Sequence, residues 1–111
     1  SGMDATLKRL AKIRDIQKNP KSYRVVIIGT PVWSHTISTP IRTFLELYKN
    51  RLDKVAFFCT QGGSGNNVFR DMESVCGRNP LALLELVSKE VEEGEYIDKV
   101  KQFVADIDKD L

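Results

Sequence analysis

The chain alternates between short, densely apolar runs and longer segments whose apolar residues recur every three or four positions. Val25-Val26-Ile27-Ile28 is the first dense run, and all four of its residues are β-branched. That composition predicts a strand from Tyr23 to Ile28, buried on both faces. Gly29 thins the strand end, Pro31 stops it, and Trp33, the only tryptophan, is carried out on a Thr/Ser-rich loop running from Thr30 to Thr39. Pro40 then suits a first helical turn with Thr39 as its N-cap. The helix that follows places Ile41, Phe44, Leu45 and Tyr48 on one stripe, and Lys49, Asn50 and Arg51 close it with charge that suits the helix dipole.

Val55-Ala56-Phe57-Phe58-Cys59 is a second buried strand, ending in the glycine-rich loop Thr60-Gln61-Gly62-Gly63-Ser64-Gly65-Asn66. Val68, Phe69, Met72 and Val75/Cys76 mark a second helix, stopped by Gly77. Leu81–Val87 is a third strand, interrupted by Glu85 and so suited to a sheet edge. Tyr96/Ile97, Val100, Phe103/Val104 and Ile107 mark a last helix over about Gly94–Leu111. At the amino end, Leu7, Leu10, Ala11 and Ile13 fit a helix over 4–17, though the pattern turns ambiguous from Ile13 to Ile16. Asn19-Pro20 breaks it. Strands alternating with helices imply right-handed crossovers and a parallel sheet covered on both faces. Buried strands ending in loops, one with an aromatic and one with glycines, are the layout of a ligand site in an open α/β sheet.

Composition narrows the classes. The chain has 111 residues, 41% hydrophobic and 29% charged, as in one soluble globular domain. No apolar run approaches a membrane span, and no signal-peptide pattern is visible. Ser1-Gly2 before Met3 reads as a cloning scar. Cys59 and Cys76 form no metal-ligand spacing with each other or with His35, the one histidine. They read as small buried hydrophobes in a reducing, cytoplasmic compartment, with a redox-active Cys59 as the alternative. The net charge is +2, but residues 4–24 hold seven Lys/Arg against two Asp, while residues 85–110 hold nine acids against four Lys. The two ends are solvated faces of opposite sign, or the basic one meets an acidic partner surface such as a second copy's tail. Without interleaved aromatics the basic segment does not indicate nucleic acid.

Gly29-Thr30-Pro31-Val32-Trp33, Pro40-Ile41-Arg42-Thr43-Phe44-Leu45 and Val55 through Gly65 together resemble the flavodoxin-like family, from about Tyr23 to the carboxyl end. The resemblance implies a three-layer, open parallel α/β sheet, truncated here to the last three of the family's five strands with their flanking helices. It divides the chain into an amino-terminal helical or linker segment, 3–22, and a partial flavodoxin-like domain, 23–111. It implies FMN at the carboxyl ends of the strands, contacted by Thr30, Pro31, Val32, Trp33, Ser34, His35 and Thr36 from one loop and by Thr60, Gln61, Gly62 and Gly63 from the other. Trp33 is the residue expected to stack on the flavin. Each has a plainer role: Trp33 covering the sheet end, the hydroxyls capping loops, His35 solvated, and the glycines turning the chain.

Residues 1–22 contain no counterpart of the family's phosphate loop, since no glycine follows Gly2 there. FMN binding is therefore expected to be weak or absent unless another chain supplies the phosphate site. The strand that would lie beside Val25–Ile28 is missing too. That edge is expected to pair with a second copy, with a swapped segment or with residues 4–17. No carboxylate pair, Ser/His/Asp set or metal cluster stands out, and Gly62-Gly63-Ser64-Gly65 lacks both the Walker lysine and the dinucleotide spacing. Three functions follow: an FMN-associated electron-transfer module working with a redox partner protein, a flavodoxin-fold interaction or oligomerisation domain without FMN, and a reductase of quinones or other small acceptors.

Overall fold

A computed structural model describes residues 11–62 and 67–111. The elements, in chain order, are β1 (Val25–Trp33), β2 (Thr36–Ile37), α1 (Thr39–Tyr48), β3 (Lys54–Gln61), α2 (Val68–Cys76), β4 (Leu83–Val87), α3 (Ser88–Glu92) and α4 (Ile97–Lys109). The sheet order is β2-β1-β3-β4. β1, β3 and β4 run parallel, with Val26 opposite Val55 and Phe58 opposite Leu84. β2 turns back antiparallel on the end of β1, pairing Ile37 with Val32 and Thr36 with Trp33. The result is a mixed four-stranded sheet with flanking helices, an open α/β fold.

β3 organises both layers because its side chains alternate between the two faces. Val55, Phe57 and Cys59 point to one side and pack with Ile28 of β1, Ile37 of β2, Leu52, and Leu45, Val68, Met72 and Cys76 from the inner stripes of α1 and α2. Ala56 and Phe58 point to the other side and meet Leu84, Phe103 and Ile107 of β4 and α4. Gly77 ends α2 in the left-handed conformation, φ 70°, with its N–H donating to the Glu73 carbonyl, as its position after the last apolar residue predicts.

Five expectations are corrected. The helix expected over 4–17 is absent over residues 11–17, which carry no regular structure; the rest of that span lies outside the described residues. There the apolar spacing serves docking instead: Ala11, Ile13 and Ile16 are partly buried, and the Ala11 N–H donates to Thr43 Oγ1 on α1 at 2.6 Å. Second, β1 does not stop at Pro31. It runs on to Trp33, because β3 pairs with it as far as Pro31 and β2 continues the pairing beyond. Third, Ser38, not Thr39, is the N-cap of α1, and Thr39 and Pro40 are already helical. Fourth, β1 is not buried on both faces. Ile28 is 4% exposed but Ile27 is 49% exposed, since α4 packs over β3 and β4 and the described residues provide no second helix over β1. Fifth, β4 begins at Leu83, and the acidic segment after it forms the short α3 before α4 begins at Ile97.

Candidate functional site

The carboxyl ends of β1 and β3 lie side by side, with Pro31 opposite Thr60. Parallel pairing therefore brings the two loops singled out in the sequence to one end of the sheet. The first is a tight hairpin. Ser34 and His35 form its two-residue turn with φ of 51° and 64°, the positive-φ pattern that matches the twist of a β-hairpin. Glycine or asparagine normally fills such positions, since a Cβ there is crowded. The turn is worth making because it returns Ile37 to the core, where it is fully buried.

The predicted residues divide by what they touch. The Thr30 side chain points inward. Its hydroxyl accepts from the Ser38 N–H at 3.1 Å, donates to the Pro31 carbonyl at 2.8 Å and lies 3.3 Å from Ser38 Oγ. Val32 and Trp33 are half-buried at the strand end, while Pro31, Ser34 and His35 are exposed. The Thr36 hydroxyl donates to Asp71 Oδ2 at 2.5 Å and accepts from Arg42 Nη2 at 3.3 Å. On β3, Thr60 is exposed and Gln61 is half-buried, its carbonyl accepting from Ser88 Oγ at 3.2 Å. Gly62 is exposed with open space where a Cβ would stand, and Gly63 lies outside the described residues. The Asn67 N–H donates to the His35 carbonyl at 3.5 Å, which ties the start of α2 to the hairpin.

Arg42 and Asp71 were missed as parts of this site, although a signal for them exists. Asp71 occupies the i+3 place of the buried α2 stripe Val68, Met72 and Val75. Arg42 lies one turn before the buried Leu45 on α1. A charge inside an apolar stripe needs a partner, and here the two meet through Thr36. Arg42 is 6% exposed, and its buried Nε has no partner among the described residues.

Neither thiol is part of this arrangement. Cys59 points into the core between β3 and α2, where burial first and the Glu85 carboxylate second push its pKa up to about 11. Burial likewise raises Cys76. Both are free thiols. Among the described residues no cluster of three His, Cys, Asp or Glu could hold a metal, and no helix is long and apolar enough to cross a membrane. A cavity of about 580 Å³, bordered by Ile16, Pro20, Tyr23, Val26, Ile27 and Phe44, lies at the amino end of β1, away from the loops.

Parallel strands with helices on both faces, and two loops converging at their carboxyl ends, define this as a flavodoxin-like α/β protein. The sequence matches the Flavodoxin family over residues 2–104, and the chain belongs to that family. No curated protein matches it. Among solved structures, the chain is similar to a flavoprotein from Lactobacillus acidophilus NCFM determined in complex with FMN. The two share a TM-score of 0.61 and 22% sequence identity over 86% of this chain and 64% of that one. At that identity the likeness carries the fold, and the present chain spans less than two thirds of that flavoprotein.

Proposed function

We propose that this chain carries the ring-binding part of an FMN site and serves as a redox module of the flavodoxin type. The observation that supports this most directly is the convergence of the Pro31–Thr36 hairpin and the Thr60–Gly62 loop on adjacent parallel strands, with Trp33 half-buried between strand and turn. Ligands of open α/β sheets sit at that end of the strands. The residues suit a flavin ring. Trp33 offers an aromatic face, and the exposed hairpin and Thr60–Gly62 offer main-chain donors and acceptors for its polar edge. A bound FMN supplies one- or two-electron transfer; the protein stacks the ring, excludes water from one face and disfavours added negative charge beside the indole. Membership of the Flavodoxin family and an FMN-bound neighbour of the same fold support the choice of cofactor.

The described residues provide no backbone cradle for the phosphate, so affinity for free FMN is expected to be weak. Titrating the protein with FMN while following flavin absorbance and fluorescence tests the reading. A saturable spectral change, reduced at least tenfold in affinity by Trp33→Ala, is expected. No change at high micromolar FMN refutes it. Electron transfer to a partner protein in the cytoplasm is favoured over reduction of a small acceptor, because Pro31, Ser34, His35, Thr60 and Gly62 stand exposed at the strand ends rather than walling in a substrate cavity.

A second reading rests on the outer edge of β1. From Val25 to Thr30 that edge has no strand partner among the described residues, and Ile27 is half exposed beside it. Apolar edges without bulge or charge recruit strands. A second copy joined or swapped through Val25–Ile28 would complete the sheet, and light scattering after size exclusion would show it as a dimer mass; a clean monomer removes this reading.

A further inference from the structure

The Ser34–His35 turn stands in a backbone conformation that side chains disfavour. Two successive non-glycine residues stand at positive φ, where each Cβ is crowded and the backbone prefers to relax. Such a turn persists only if its surroundings over-determine it. β2 offers little help by itself, being two residues long.

The buried polar chain beneath the turn offers more. Thr36, the first residue after it, has its hydroxyl held from both sides, donating to Asp71 on α2 and accepting from Arg42 on α1. Arg42 is itself buried, 6% exposed, in the first half of α1. Asp71 sits in the first turn of α2, where the helix dipole favours its charge. From the same helix start, the Asn67 N–H reaches the His35 carbonyl. On the other side of the hairpin, Ser38 and Thr30 are locked to each other. A full positive and a full negative charge thus converge on one hydroxyl in a partly buried place, where charge-assisted hydrogen bonds are strong and their loss is costly.

We infer that Arg42, Thr36 and Asp71 form an internal clamp that holds the Ser34–His35 turn in its left-handed conformation and so fixes where Trp33 and the hairpin main chain are presented. All three act as positioning residues through the turn, and none need touch the ligand. Thr36 is thereby reassigned from an expected ligand contact to a fastening. The consequence for FMN rests on the function proposed above; the clamp itself does not.

Hydrogen exchange on the full chain without ligand tests the clamp directly. Thr36→Val keeps the shape and removes both bonds, Asp71→Asn keeps the size and removes the charge, and Thr36→Ser restores the hydroxyl. In the valine and asparagine variants, amides of residues 33 to 36 and of Asn67 should exchange at least tenfold faster, while those of Val55–Cys59 keep their protection. The serine variant should match the parent. FMN titration of the same proteins should then show at least tenfold weaker binding for Thr36→Val and none of that loss for Thr36→Ser. Unchanged exchange at the hairpin in both Thr36→Val and Asp71→Asn overturns the clamp. Equal loosening in Thr36→Ser overturns it as well, since the hydroxyl would then not be what matters. If the parent does not bind FMN at all, the cofactor reading fails while the exchange result still decides the clamp.

Discussion

Gly29 gives the sharpest single test of how the two halves of the sheet fit. Its backbone is not at positive φ, so no dihedral preference demands glycine there. What demands it is the neighbouring strand. Phe58 is the β3 residue directly opposite, and its ring lies across Gly29 so closely that an added Cβ would stand 2.0, 2.3 and 2.5 Å from three ring carbons. Carbon atoms are comfortable at about 3.5–4.0 Å, so the whole ring must swing away rather than shift. Overpacking of this kind costs about 1–3 kcal/mol. Restricting the unfolded chain by replacing glycine returns about 0.4–1 kcal/mol. Gly29→Ala should therefore lose a net of roughly 1–2 kcal/mol, lowering the melting temperature by about 4–10 °C at this size. The decisive assay is a double-mutant cycle by urea denaturation. In a Phe58→Ala background the clash is gone, and Gly29→Ala should be neutral or slightly stabilising. Losses that simply add, within about 0.5 kcal/mol, would falsify the close approach as the reason for the glycine.

Three further outcomes are expected. Phe57→Ala empties the centre of the larger core, where the ring is fully buried; a loss of about 3–5 kcal/mol should leave a substantial unfolded fraction by circular dichroism at 37 °C. Gly77→Ala meets no atom within 4 Å but must hold φ 70°, so a purely conformational cost of about 1–2 kcal/mol is expected, visible as a lower urea midpoint with unchanged slope. Cys59, with its pKa pushed up to about 11 from 9, favours the protonated thiol in the fold. Its contribution is present below pH 9 and is lost as pH rises from 9 through 11; a Cys59→Ala variant should show a shallower fall in stability across that window, and a fall as steep as the parent's would assign it to other groups.

The three parallel strands and the three long helices were legible because each rests on local composition and period. Val55–Cys59 is apolar throughout since both faces of β3 are covered. The Ile41, Phe44, Leu45 and Tyr48 stripe needs only the helical repeat, and Gly77 stops α2 where the repeat ends. The change in composition after Ile28 and after Cys59 marked where each strand nears its end, although β1 runs on to Trp33 and β3 to Gln61. The β1–β2 hairpin was not, because Ser34-His35 lacks the glycine or asparagine that marks such a turn, and β2 is too short to show alternation. The amino-terminal segment misled because helical spacing of Ala11 and Ile13 also suits an extended segment docked on α1.

Sequence alone therefore determined the three parallel strands and the long helices that alternate with them, and with the family resemblance it placed the candidate loops at the strand ends. Tertiary structure decided what those loops rest on. Thr36 and Asp71 are 35 positions apart in the chain, and Arg42 is 6 from Thr36; only the packing of α1 and α2 on one face of the sheet brings a charge from each to the same hydroxyl. It also decided that Ile27, apolar like its neighbours, stands half in solvent. Period and composition report what a segment is built to bury, whereas burial itself depends on which other segment arrives, and that is a property of the assembled fold.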